Sequence, residues 1–408
     1  MSAGSPAEWV CCHLGAREHY VIPRALHGAG RLRALITDAW VEPGSSWSRL
    51  PGESAQRIAE RWHPDLAGAS VHHSTTALVA REALWRAQPD GWVRLMKRNG
   101  WFGRRAATTL RAMPGSDRTR TVVFAHSYSA LEVFEAAKSR GFTTVLGQID
   151  PGPEHFRIAQ RAADERPQYG PAPEPPPARY LEAWHTECRR ADWIVVNSEW
   201  SRDLLERAGV PAAKLRVVPL VYDPPVAHAS GDRAYPDHFT RARPLRVLFV
   251  GHVSVTKGAA ALLEALALLV DVPVELRMVG SVAMDVPRDF VQHEAVRWIG
   301  PVSRSDVMHH YRDCDVLVFP SLSDGFGMAQ IEAQAWHLPI IASRSCGRVV
   351  CDGVNGLLLD EPTPIAIASA IRRVAADGTL LQQFSRAAAA RSGGVPELAS
   401  ALLQLEPA

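Results

Sequence analysis

Several features that mark whole classes of protein are missing from this chain. Its six cysteines, at positions 11, 12, 188, 314, 346 and 351, form no C-x-x-C pair and no regular spacing. That excludes a disulfide framework and fits reduced cytosolic thiols. No apolar run reaches the roughly 18 residues that span a bilayer; the best attempt, AAALLEALALLVDVPV, is broken by Glu264 and Asp271. The start, MSAGSPAEWVCCHLGA, has no basic stretch leading into an apolar core, so no secretory leader is expected. Net charge is nearly absent as well: 45 basic against 43 acidic side chains leave +2, too little to imply a nucleic-acid partner. No G-x-G-x-x-G follows a strand-like run, which argues against a dinucleotide site. These absences predict a cytoplasmic protein that touches a membrane, if at all, only at its inner surface.

What remains is ordinary globular material, 47% hydrophobic and 22% charged over 408 residues, enough for two domains. Short apolar runs alternate with helix-like stretches: RALITDAW, TVVFAHS, TTVLGQI, WIVVNS and KLRVVPL, then LRVLFVG, VELRMVG, VRWIG, DVLVFP and LPIIAS. Strands apolar on both faces and separated by helices predict parallel, doubly wound sheets, an α/β fold. The Pro-containing, aperiodic stretch 223–244 reads as a linker between an N-terminal domain (1–222) and a C-terminal domain (245–385). Residues 386–408 are expected to form a helical tail that packs back on the first domain, and the Pro-rich 165–180 a surface loop. Two such domains face each other across a cleft, where ligands sit beyond the carboxyl ends of the strands.

The chemistry gathers in the second half. In LRVLFVGHVSVTKGAAALLEALALL, Gly251 ends a strand and Lys257-Gly258 open a helix. A lysine and free amides at a helix start attract an anion, although turn glycines and a solvated lysine would look the same. The stretch SLSDGFGMAQIEAQA sharpens the reading. Gly325 and Gly327 let backbone approach a ligand, and the amides from Phe326 to Gln330, Met328 and Ala329 included, would be unpaired at the helix start. Asp324 before the turn and Glu332 within the helix place a carboxylate at each end of that amide cluster.

PSLSDGFGMAQIEAQA resembles the signature of the group 1 (family 4) glycosyltransferases, retaining enzymes of the GT-B fold. FVGHVSVTKG, ADWIVVNSEWSRDLL (191–205), VVPLVYD (217–223) and GRVVCDGVNGLLL (347–359) extend the likeness over about 191–378. The resemblance implies two Rossmann-like domains and a nucleotide-diphosphate sugar as donor. It implies that Lys257 neutralises the diphosphate, Glu332 holds the ribose, Asp324 meets the transferred sugar, and the amides of Gly327 to Ala329 bind phosphate or sugar. Two positions depart from the pattern. Asp324 replaces the family's first Glu, and His252 stands where Arg is common, so a permanent charge becomes a titratable one.

In the first half, Gly15, Arg17 and His19 follow the first strand, His126 ends another, and Gln148, Asp150 and His155 follow a third. His126 is a candidate catalytic contact beside Lys257 and Asp324. The resemblance implies a histidine in the last of these loops; the aligned place holds Gln148–Asp150 instead, with Asp150 a candidate replacement. Residues 92–113 carry six basic and no acidic side chains among Trp92, Trp101 and Phe102, which suits an anionic membrane or a lipid-linked acceptor; Gly100 and Gly103 argue against one continuous helix. By resemblance the reaction is retaining transfer to a glycan, lipid-linked or small-molecule acceptor, with the leaving phosphate taking the acceptor proton. No metal and no resident cofactor are expected. A sugar-nucleotide epimerase, a sugar phosphorylase and a non-catalytic nucleotide-sugar-binding protein are the alternatives.

Overall fold

A computed structural model describes residues 6–45, 58, 61–86, 91–114, 120–222, 233–388 and 394–407. Seven parallel strands form the first sheet: β1 (Glu8–His13), β2 (Leu32–Thr37), β3 (Val71–His73), β4 (Thr121–His126), β5 (Thr143–Gly147), β6 (Trp193–Val196) and β7 (Leu215–Val217), in the order β3-β2-β1-β4-β5-β6-β7. Six more form the second: β8 (Leu245–Val250), β9 (Val274–Val279), β10 (Val296–Gly300), β11 (Val316–Phe319), β12 (Ile340–Ser343) and β13 (Gly356–Leu359), ordered β10-β9-β8-β11-β12-β13. Both sheets reverse direction of winding once, between β1 and β4 and between β8 and β11. Crevices open at those two points, beyond the carboxyl ends of the strands. The chain is therefore two Rossmann-like α/β lobes.

Each sheet buries both faces. On one side of the first sheet, Val10, Ile36, Val123 and Ala125 pack under the helices Gly91–Ala112, Leu131–Ser139 and Ala178–Arg190. On the other, Trp9, Leu35 and Phe124 pack under the helix Val21–Gly28 and the helix Val395–Leu403, whose Leu398 and Leu402 are buried. The last helix is held further by Glu406, which accepts from the Trp9 indole at 2.9 Å and pairs with Arg31.

One local expectation is corrected. Residues 91–112 form a single helix despite their glycines. A Cβ on Gly103 would stand 2.4 Å from Glu132 and 3.3 Å from the Ser129 carbonyl, so the glycine is what lets this helix cross the next one closely. Its Trp101 and Phe102 are core residues, 5% and 2% exposed, so neither ring stands out on the helix surface among the basic side chains. Of the expected linker, 223–232 lies outside the described residues, and the rest touches the second lobe. Arg233 already donates to the carbonyls of Tyr311, Arg312, Cys314 and Trp336, and Phe239 is buried in the second lobe's core.

Candidate active site

In the second lobe, β8 runs into Gly251, and the chain returns at Lys257-Gly258 to start the helix Ala259–Leu266. Gly258 has φ +75°, and a Cβ there would lie 2.0 Å from the carbonyl oxygen of Pro320, which follows β11. Only glycine permits that contact, and it sets Lys257 beside the turn after β11. The Lys257 ammonium pairs with the Asp324 carboxylate in that turn. Asp324 is anchored through its own amide, bonded to the Ser345 carbonyl at 2.9 Å.

Gly327, at φ +85°, caps the helix Met328–Ala335. A Cβ on it would stand 2.6 Å from the Phe319 ring, so the turn sits tight on the strand it follows. The Gln330 amide is already bonded to the Gly327 carbonyl at 2.9 Å, which corrects the expectation that it is free. The amides of Phe326, Gly327, Met328 and Ala329 have no partner among the described residues. They lie between Asp324 and Glu332, as the spacing predicts. Glu332 accepts a 2.7 Å bond from the Tyr311 hydroxyl, so one carboxylate oxygen is held in place. His252 is exposed, with Nδ1 2.8 Å from the Ser281 hydroxyl.

The first lobe contributes the loop after β5. Gln148 is 4% exposed; its carbonyl accepts from the Trp184 indole at 2.9 Å, and its amide donates to Asp150 Oδ1 at 3.0 Å. Asp150 Oδ1 also receives the Tyr128 hydroxyl and the Gly152 amide, both at 2.8 Å. One carboxylate oxygen is thus saturated, and Oδ2 has no partner among the described residues. Tyr128 holds a left-handed backbone, φ 70°, unusual for a bulky residue and costly enough to need a reason.

His155, in the first turn of the helix Pro153–Glu165, reaches the other lobe: Nδ1 lies 3.0 Å from the Ser323 hydroxyl, next to Asp324. Burial lowers its pKa below the ordinary histidine value; Asp150 opposes this, Lys257 adds to it and Asp324 opposes it again. All four groups therefore share one electrostatic neighbourhood. The lobes are latched beside it. The hydroxyls of Ser198 and Ser201, at the start of the helix Glu199–Arg207, both donate to the Gly325 carbonyl, the second at 3.2 Å. A Cβ on Gly325 would stand 3.0 Å from Asn197 and 3.1 Å from the Ile149 carbonyl, both in the first lobe.

The remaining candidates sit elsewhere. His126 is 4% exposed, its ring in edge contact with His13 at 4.5 Å, and neither ring has a hydrogen-bond partner among the described residues. It lines a small cavity with Glu18, Gln148 and Asn197 instead of meeting Lys257. Burial lowers the His13 pKa to about 3 and the His126 pKa well below its ordinary value. Gly15 donates to Asp38 at 3.0 Å, Arg17 is exposed, and Glu18, His19 and Tyr20 all have positive φ of 44° to 58°. Asp38, fully buried, is paired with Arg61 and with Arg98, the latter at 3.4 Å. The sequence also spells one Asp-x-Asp, Asp313-Cys314-Asp315, a spacing that can clamp a metal. It precedes β11, at the end away from the crevice, where Asp315 is paired with Arg243 at 2.7 Å and Asp313 with Arg312 at 2.9 Å.

Two Rossmann-like α/β lobes, each with its crevice beyond the carboxyl ends of its strands, define the GT-B class of folds. Solved structures agree on the fold. The chain superposes on Anabaena Alr3699/HepE in complex with UDP and glucose with TM-score 0.61 at 17% identity, covering 98% of each chain. It superposes on sucrose-phosphate synthase of Thermosynechococcus elongatus with TM-score 0.62 at 17% identity, covering 97% and 95%. Residues 86–224 match the profile of Glycosyltransferase Family 4 and residues 235–391 that of Glycosyl transferases group 1. The chain belongs to the group 1 / family 4 glycosyltransferases. Among curated proteins it is 32% identical over 223 residues to D-inositol 3-phosphate glycosyltransferase of Geodermatophilus obscurus, covering 48% of each. With that of Kineococcus radiotolerans it shares 31% over 268 residues, 58% of this chain and 61% of the relative. The chain thus spans about half the length of the curated relatives it matches.

Proposed function

We propose that this protein is a retaining, metal-independent glycosyltransferase that moves a sugar from a nucleoside-diphosphate donor to a glycan, lipid-linked or small-molecule acceptor. The observation that carries the reading is the Lys257–Asp324 pair set against four unpartnered amides at the second lobe's crevice. In this reading the diphosphate docks on the amides, Lys257 exchanges its partner Asp324 for a phosphate oxygen, and Asp324 turns to a sugar hydroxyl. Glu332, oriented by Tyr311, receives the ribose hydroxyls.

Transfer forms the bond from the acceptor oxygen to the anomeric carbon and breaks the bond from that carbon to the phosphate oxygen. The acceptor's proton passes to the departing phosphate on the same face, so configuration is kept. The charge growing on the diphosphate is met by Lys257, by His252 when protonated and by the helix-start amides, a preorganised electrostatic site. The free oxygen of Asp150, with His155, is placed to receive sugar hydroxyls from the first lobe. Closure of the lobes excludes water from the reacting centre. The division into residues 1–222, 245–385 and a returning tail, the cytoplasmic setting and the contact of 92–113 with a membrane belong to the same reading.

The test is a melting screen against UDP-, GDP-, ADP- and TDP-sugars, followed by transfer assays with the donor that stabilises. The expected result is one preferred nucleotide series, loss of its shift in Lys257→Ala, and a product of unchanged anomeric configuration without added metal. An absence of any donor shift in the wild type overturns the reading. Donor epimerised without acceptor, phosphate-dependent cleavage of a disaccharide, or donor bound and never turned over would point to the three alternatives in turn.

A further inference from the structure

The helices Thr75–Arg86 and Gly91–Ala112 lie side by side on the first lobe, with the Trp85 and Trp101 rings edge to face at 5.4 Å. Between them is a cavity of about 310 Å³ lined by Arg81, Trp101, Arg104, Arg105, Thr108 and Thr109. Three arginines line it, and among the described residues only Arg104 faces a carboxylate. Arg81 is exposed and makes no ion pair among the described residues. Arg104, 67% exposed, faces Glu132 only at 3.5 Å. Arg105 is fixed by its Nε, which donates to the Ser74 hydroxyl at 2.8 Å, and by the Trp101 ring 5.8 Å from its guanidinium carbon. The wall residue Trp101 is 5% exposed, and its indole N–H has no partner among the described residues.

Like charges that line one cavity repel one another, and an anion bound between them relieves that repulsion. Guanidinium forks fit the tetrahedral oxygens of phosphate two at a time, which ammonium groups do not. We propose that this cavity binds a phosphoryl group, a monoester or diester, outside the sugar-transfer cleft. The inference stands apart from the donor site, since none of its residues touches the second lobe's crevice. Two sources share the chemistry: a soluble phosphate ester and the headgroup of an anionic phospholipid. Leu84, 68% exposed one turn along from Arg81, distinguishes them, because a bilayer would cover it and a soluble ester would not.

The test compares the wild type, Arg81→Ala/Arg104→Ala, Leu84→Ser, and a control, Arg207→Ala/Arg241→Ala, that removes the same charge from exposed positions elsewhere. Both arms use full-length protein at low salt. One titrates inorganic phosphate and glycerol phosphate by calorimetry. The other sediments phosphatidylcholine vesicles with and without phosphatidylglycerol. Arg81→Ala/Arg104→Ala is expected to weaken binding about tenfold, the loss of two charge-assisted contacts, and to keep its melting temperature and donor binding. Loss in the vesicle arm, shared by Leu84→Ser, assigns a headgroup. Loss in the phosphate arm alone, with Leu84→Ser unchanged, assigns a soluble ester. The proposal is overturned by a wild type that binds in neither arm, by a double variant equal to wild type, or by a control that weakens binding as much.

Discussion

Lys257 and Asp324, 67 positions apart in the chain, meet as an ion pair at the point where β8 and β11 part. Each proposed donor-binding group is therefore the other's partner before donor arrives. Removing one does not simply subtract a contact; it frees the other.

This gives an asymmetric expectation for the two alanine variants. Lys257→Ala should lower both nucleotide affinity and transfer, the latter about 100-fold or more, as for a lost charge stabiliser. Asp324→Ala releases Lys257 for phosphate, so affinity for the bare nucleoside diphosphate should hold or tighten while transfer falls. Calorimetry with nucleotide alone, beside a transfer assay, separates the two. Equal loss of nucleotide affinity in both variants would show that the pair acts as one structural unit.

Tyr311 holds a single oxygen of Glu332, which makes it a positioning residue. Tyr311→Phe should remove one hydrogen bond, about 1 kcal/mol, and raise the donor KM several-fold at nearly constant kcat. An unchanged KM would mean that packing alone orients Glu332.

At Gly258 the backbone of two strands' ends is in contact. Gly258→Ala combines a left-handed φ with a Cβ against the Pro320 carbonyl, so the return loop must move. A loss of about 2 kcal/mol or more is expected in urea unfolding, together with weakened donor binding. Gly209→Ala, also at positive φ but in open space, should cost about 1 kcal/mol and leave donor binding alone.

His13 and His126 are buried neutral, with pKa values lowered by burial. In the unfolded chain both titrate near the ordinary value. Below it the unfolded state binds protons that the native state refuses, so stability should fall as pH drops from about 6.5 toward the lowered native values. The slope is about 1.4 kcal/mol per pH unit for each imidazole. Denaturant unfolding between neutral and mildly acid pH should show it, and His126→Phe should flatten it by about half.

His252→Arg restores a permanent cation where the protein has an imidazole bonded to Ser281. Donor affinity should rise, because a guanidinium carries its charge permanently. An unchanged affinity would place His252 outside the donor's field.

The sheets were legible because a strand buried on both faces must be apolar throughout, as VVFA in β4 and VLVF in β11 are. Val71–His73 was not, because it is three residues at an edge and only part-buried. The turn from Asp324 into the helix Met328–Ala335 was legible because its residues are consecutive, so spacing along the chain equals arrangement in space. The opposite wall was not. Nothing local says that His155 meets Ser323, or that Asn197 and Ser198 meet Gly325, since those contacts join residues more than 100 positions apart. Trp101 and Phe102 misled for the converse reason: residues interleaved with basic ones in sequence are turned by the helix into the core, where the rings are buried.

The two serines on the Gly325 carbonyl tie the shape of the donor turn to the distance between lobes. Were the halves to part, that oxygen would lose both donors, and the backbone carrying Asp324 and the open amides would lose its brace. Letting the spent nucleotide go and dismantling its cradle would then be a single motion. A new substrate would find the cradle finished only once the halves have met again, which discourages stray hydrolysis in between.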